Sequence, residues 1–246
     1  EAIRLKPDYA EAYILRGFSY VKLGQHQRAI DDLNETIRLK PDFAEAYANR
    51  GIAYGMLGNH KQAILDCDKA IELKPKLAIA YHGRGVSYSK HGDYKQAIMD
   101  YDKTIELDAK DIMVYGSRGI AYSKLGNYEQ AVINFTKFIE LNKRHPRGYN
   151  SLAWVYATAK DKEFRNGKLA IEYAKKALEL SQEKDIYIYM DTLAAAYAEA
   201  GRFEEAITTQ AEVITILRTK GIKDINILEG CSKRLESYKE HKAWAE

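Results

Sequence analysis

From Ala44 to Pro75 the chain carries two helical stripes end to end. Tyr47, Arg50, Gly51 and Tyr54 stand at i, i+3, i+4 and i+7, one face of a first helix. Gly58 follows, where a helix ending in the left-handed conformation wants a residue without Cβ. Ala63, Cys67, Ala70, Ile71 and Leu73 then form the inner face of a second helix, and Pro75 stops it. Small residues at Gly51 and Ala63 predict a close approach of the two helices. The pattern returns every 34 residues. Gly17, Gly51, Gly85 and Gly119 keep the step, as do Gly24, Gly58, Gly92 and Gly126. So do Ala29, Ala63, Ala97 and Ala131, and Pro7, Pro41 and Pro75. Two tyrosine series, Tyr13 to Tyr149 and Tyr20 to Tyr156, supply ten of the 19 tyrosines, so this unusual count is mostly one structural demand repeated.

With Ala10, Ala44, Ala78, Ile112 and Pro146 each at position 1, four regular repeats are predicted at 10–43, 44–77, 78–111 and 112–145. A fifth occupies 146–184. Its position-20 alanine arrives five residues late, at Ala170, and the extra residues in "AKDKEFRNG" read as a longer turn between its helices. A sixth occupies 187–220, with Tyr197, Gly201 and Ala206 in place. Residues 1–9 read as the back half of an upstream repeat, with Ile3 and Leu5 covering the first full one. Leu228, Cys231, Leu235 and Tyr238 predict a C-terminal capping helix of about 15 residues within 221–246. The chain begins at Glu1, not Met, and reads as a piece of something longer. If the cap ends the array, any catalytic domain precedes Glu1.

The pattern resembles the tetratricopeptide repeat family over nearly the whole length, on twelve or more matching positions in four consecutive copies. The segment from "LAWVYAT" to "AEAGRFEEA" looks like the closing pair of repeats in many bacterial members. The resemblance implies an all-α fold, an α-solenoid of stacked antiparallel helix pairs in a right-handed superhelix. It also implies a concave face lined by first helices. One repeat cannot bury its own apolar face, so neighbours must cover it.

Position 7 is Arg16, Arg50, Arg84 and Arg118, and position 23 is Asp32, Asp66, Asp100 and Asn134. In the fifth copy they become Leu152 and Tyr173. Two positions that change together predict an ion pair between the helices of each repeat, fixing register more than adding stability.

Apolar residues at 46% and charged residues at 30% describe a folded chain. A net charge of +3 lacks the clustered basic signal of a nucleic-acid binder. No run of 18 apolar residues exists to span a membrane. Cys67 and Cys231 have no metal or disulfide spacing, and the six histidines form no ligand motif. No nucleophile motif is present either, so no catalytic residue, metal or cofactor is expected. A missing signal peptide in a piece of chain leaves the compartment open, with the cytoplasm the default.

Positions 2, 5, 9, 12 and 13 point away from the pairing stripe, at 100° per residue. The resemblance implies that they line the groove. Position 9 is apolar five times: Phe18, Ile52, Val86, Ile120 and Trp154. Met113 and Ile79 at position 2, Met56 at 13 and His82 at 5 join them. Lys22, Lys90 and Lys124 at position 13 form a cationic rail. An exposed apolar stripe marks an interaction site. The alternative, that neighbouring first helices bury position 9 between them, stays open. The carboxylate clamp of some family members is absent, since its positions hold Ile14, Phe18, Asn49, Ile79 and Gly83, or His82, Val86, Ser117, Arg147 and Ser151.

These features predict a non-catalytic scaffold holding a protein or peptide with apolar and acidic residues. Two other readings stand beside it: self-association through the N-terminal edge, and a regulatory or substrate-recruiting arm of an enzyme lying upstream.

Overall fold

The computed structural model describes residues 6, 8–181, 186–222 and 224–245. Ile3, Leu5 and Pro7, and with them most of the expected remnant at 1–9, lie outside the described residues. The chain forms two compact units, Glu1–Ala121 and Tyr122–Glu246. Among the described residues there are thirteen α-helices, one 3-10 turn and no strand.

The first unit holds α1 (Ala10–Lys22), α2 (His26–Leu39), α3 (Ala44–Met56), α4 (His60–Leu73), α5 (Ala78–His91) and α6 (Tyr94–Leu107). It also holds most of α7 (Ile112–Lys124). Each first helix turns into its partner through a left-handed glycine. Gly24, Gly58 and Gly92 have φ of 72°, 83° and 94°. The next backbone N–H closes on the position-11 tyrosine carbonyl: Gln25 on Tyr20, Asn59 on Tyr54 and Asp93 on Tyr88, each at 2.9 Å. That satisfies carbonyls a helix end would otherwise leave bare. Inside the pair the backbones nearly touch. A Cβ on Gly51 would lie 2.9 Å from both the Ala63 carbonyl oxygen and Cys67 Sγ.

Stacking of successive pairs uses positions to which the sequence pattern assigned nothing. Ala46 and Ala53, positions 3 and 10, are fully buried in one cluster with Ala29, Ile30 and Leu33 of the preceding repeat. The position-4 tyrosines reach back as well. Tyr47 Oη donates to the Pro41 carbonyl at 3.1 Å and Tyr81 Oη to that of Pro75 at 3.1 Å. A phenylalanine would fill the same space without holding the preceding turn.

The second unit holds α8 (Tyr128–Leu141), α9 (Pro146–Thr158), α10 (Gly167–Leu180), α11 (Ile186–Glu199), α12 (Phe203–Thr219) and α13 (Ile225–Lys239). The extra residues of the fifth copy contain the 3-10 turn Lys162–Phe164. They make contacts on both sides. Phe164 packs on Tyr128, ring centroids 5.8 Å apart, and Arg165 pairs with Glu199 at 3.2 Å. Gly167 lets this turn lie on α11's end, because a Cβ there would sit 2.6 Å from the Ala200 nitrogen. On α13, Cys231 is buried with Val213, Ile214 and Leu217, and Leu228 and Leu235 pack against them.

Candidate functional site

The arginine series builds the walls of the first unit. Arg16 Nε donates to Asp32 at 2.6 Å, Arg50 Nε to Asp66 at 2.7 Å and Arg84 Nε to Asp100 at 2.9 Å. In each, Nη2 completes the fork on the second carboxylate oxygen. The guanidinium then uses Nη1 to reach backward. Arg50 donates to Asn34 at 2.8 Å, Arg84 to Asp68 at 2.6 Å, and Arg118 to Asp102. Position 25 of one repeat is thereby tied to position 7 of the next. Among the described residues Arg16 makes only the forward bonds, and its side chain is 47% exposed against 17% for Arg50. Hydrogen bonds to Asp100 and Asp68, working against burial, push the Arg84 pKa up, so this group stays charged. Asn134 lies in the second unit, where its Nδ2 donates to the Gln130 carbonyl at 2.8 Å.

Four residues of the position-9 series stand in the first unit. Phe18 and Ile120 are 37% and 40% exposed, and Ile52 and Val86 are half-buried. Ile52 leans on the next first helix, where a Cβ on Gly83 would meet its Cγ1 at 3.1 Å. Met56, Ile79 and Met113 are exposed. Lys22 Nζ lies 4.5 Å from the Phe18 ring centroid, and Lys90 is exposed. Position 5 departs from the expected outward face. Ala48 is fully buried with Ala70 and Ala80, because that flank of the helix meets the next repeat.

His82, also at position 5, is turned to structural use. Its Nδ1 lies 2.9 Å from Asp111 Oδ2, and its ring stands edge-on to Tyr101 with centroids 5.9 Å apart. Asp111 Oδ1 accepts the Met113 backbone N–H at 3.0 Å. The His82 hydrogen bond holds the Asp111 carboxyl below its usual range, against an opposing push from burial. A depressed folded pKa means stability that is present above the unfolded pKa and lost as pH falls through the folded one. His82→Ala should therefore raise the Asp111 midpoint in a carbon-detected NMR titration and reduce the loss of stability on acidification. An unmoved midpoint would place the cause in the backbone bonds.

In the second unit the inner face is closed. Ala157, Ala195 and Ala198, at positions 12, 9 and 12, are 0%, 1% and 1% exposed. The corresponding Gly55, Val86 and Ser89 of the first unit are half-buried. The closing residues come from the C-terminus: Tyr238, Ala243 and Trp244 pack into the same cluster. Arg234 lies with Cζ 5.7 Å from the Trp154 ring and 5.9 Å from that of Trp244. Its Nε and Nη2 donate to Asp191 at 2.9–3.0 Å. The sequence pattern gave Asp191, Arg234 and Trp244 no role; the one signal was that Asp191 occupies position 5 of the sixth copy. Lys124 is exposed in this unit.

Burial pushes the Cys67 thiol up to about 12 and the Cys231 thiol to about 11, so neither is a poised nucleophile. Among the described residues no group of three or more His, Cys, Asp or Glu side chains could hold a metal ion. No helix among them is long and apolar enough to cross a membrane.

Tetratricopeptide repeat models match residues 44–77, 78–111, 114–145 and 191–209, and a TPR repeat model matches 17–58. Comparison with curated proteins returned no match. Among solved structures, a crystal structure of MamA is 31% identical, with TM-score 0.51, covering 58% of this chain and 84% of that one. The Cut9–Hcn1 hetero-tetramer of the APC/C is 17% identical with TM-score 0.80, covering 96% of this chain and 44% of that one. PilF of Pseudomonas aeruginosa is 16% identical with TM-score 0.72, covering 95% and 97%. The last two show the fold alone. With glycine-turned helix pairs stacked in both units and repeat models matched along most of the regular copies, the chain belongs to the tetratricopeptide repeat family.

Proposed function

We propose that the chain is a non-catalytic scaffold that holds a protein segment on the inner face of its first unit. The observation that carries this is the position-9 row, apolar in four consecutive copies yet buried in none of them. Packing needs inside each repeat are met elsewhere, by the glycine–alanine approach and the arginine fork. An apolar row that keeps part of its surface in water supports a docking role. Phe18, Ile52, Val86 and Ile120 supply apolar anchors, and Lys22 and Lys90 favour acidic side chains in the partner. The physics is that of an amphipathic segment laid in a groove.

Selection from a random-peptide display library tests it with the full chain as bait. Enriched peptides should combine spaced Leu or Phe with Asp or Glu. Val86→Asp with Ile120→Asp should weaken them about 100-fold, as loss of central anchors does. Lys22→Glu with Lys90→Glu should cost about tenfold and flatten the salt dependence. Peptides held equally well by both folded variants would remove the inner face from consideration.

A further inference from the structure

The two tryptophans of the chain, Trp154 and Trp244, flank a single side chain, Arg234. Asp191 faces the guanidinium from α11, and Gln210 Nε2 fixes the carboxylate by donating to it at 2.8 Å. The Cys231 thiol lies 3.6 Å from the same oxygen and 3.5 Å from Arg234 Nη2. A carboxylate held in register beneath an indole face is how a protein reads arginine: the fork takes the charge and the plane takes the ring. Trp154 and Asp191 stand at positions 9 and 5 of their repeats, inner-face positions. The ligand in place belongs to the chain itself.

We propose that Asp191 and Trp154 form a receptor for an arginine side chain, filled in cis by Arg234. The C-terminal segment is thus a displaceable cover whose place a basic, tryptophan-bearing helix of a partner takes.

Two observations favour displacement over a permanent cap. The cis fit is incomplete, because Gln210 Oε1, on the receptor side, is buried with no hydrogen-bond partner among the described residues. An occupant that satisfies it gains what Arg234's own helix leaves unmade. Past α13, whose Cys231 and Tyr238 are buried, the cover is no longer helical. After α13 the chain turns at His241, whose φ of 56° is left-handed for a non-glycine residue. Beyond it Ala243 and Trp244 lie on the cluster as unwound chain, with Lys242 tied back to Ser237 and Glu240. The partner's chemistry follows from the occupant: arginine on a helix, then an aromatic about a turn away, then tryptophan. The site lies in the second unit and does not rest on the first unit's function.

The probe is a fluorescein-labelled peptide of residues 232–245, SKRLESYKEHKAWA. The host is the full chain carrying Arg234→Ala and Trp244→Ala. Fluorescence anisotropy should show saturable binding at least about tenfold tighter than to the wild type, whose own segment competes at high effective concentration. Asp191→Asn added to the host, or Ala in place of the peptide's arginine, should each weaken binding about tenfold or more. No binding to the host, equal binding to the wild type, or indifference to Asp191 would each overturn the proposal. Should the double variant lose its helical circular dichroism, Trp244→Ala alone becomes the host. The same ranking is expected there, and absence of binding overturns the proposal equally. In that variant Trp154 is the sole tryptophan, and its emission should shift to the red as the cover loosens.

Discussion

Arg84→Leu should lower the stability of the chain by about 3–5 kcal/mol, and adding Asp100→Tyr should return most of it. The single change leaves Asp100, nearly fully buried, without the fork that holds it at 2.9 Å and 2.7 Å. A stranded buried carboxylate is the costly outcome, and the net worth of the intact pair is small. The fifth repeat shows how the pair can be dispensed with. Leu152 and Tyr173 stand at the same two positions, Leu152 buried and Tyr173 stacked on Tyr156 at 6.0 Å and against Tyr149 at 6.3 Å. The third repeat already has the matching rings, Tyr81 and Tyr88, so a tyrosine at position 100 has the same neighbours waiting. Asp68, half-exposed, returns to water when Arg84 is removed. The check is the urea midpoint of the two single variants and the double. Single effects that simply add would mean that the two positions are not coupled, and that the fifth repeat's substitutions arose independently. Arg16→Leu should cost less than Arg84→Leu, because Arg16 is more exposed.

What could be read in the sequence, and what could not, follows from repetition. Gly58, Ala63 and Cys67 were legible because each lies on an intra-repeat stripe and recurs at a fixed step. The arginine–aspartate fork was legible because the fifth copy changes both ends together. The backward bonds to Asn34, Asp68 and Asp102 were not. Position 25 is polar on the outer side of a second helix, which a single-helix pattern reads as solvent-facing; only the stacking of pairs brings it to the next arginine. Ala46 and Ala53 were missed for the same reason, since small residues carry little signal of which neighbour they approach. Leu65 and Met99, both at position 22, are exposed apolar residues on the opposite face that a search for core stripes passes over. Asp191, Arg234 and Trp244 occur once each, so no periodicity marks them, and α13 looked like a plain cap. Position 9 was legible as a row, but its half-burial depends on how closely neighbouring first helices pack, which Gly83 decides for Ile52.

Gly85→Ala should destabilise the chain by about 2 kcal/mol, and the same change made in a Tyr101→Ala background should stabilise it by up to about 1 kcal/mol. A Cβ on Gly85 would lie 2.7 Å from Tyr101 Cε1 and 3.2 Å from the Ala97 carbonyl oxygen. Tyr101 is 1% exposed, so the ring has nowhere to go without moving its own neighbours. Overpacking of that kind costs about 1–3 kcal/mol, at the upper end for so short an approach, and the helix propensity gained by alanine returns about 1. Once Tyr101 is truncated only the propensity remains. The fifth repeat again holds the combination: Ala153 and Ala174 stand at positions 8 and 24, both fully buried, and α9 still pairs with α10. Gly17→Ala should be milder, because its Cβ would meet the Leu33 Cγ at 3.0 Å, an aliphatic end able to change rotamer. Thermal and urea unfolding of the four variants around Gly85 and Tyr101 decide the matter. An effect of Gly85→Ala that is the same in both backgrounds would show that the Ala97 carbonyl, and not the ring, sets the limit. Position 8 would then demand glycine whatever stands at position 24, and the alanine of the fifth repeat would need a wider spacing of its helices to explain it.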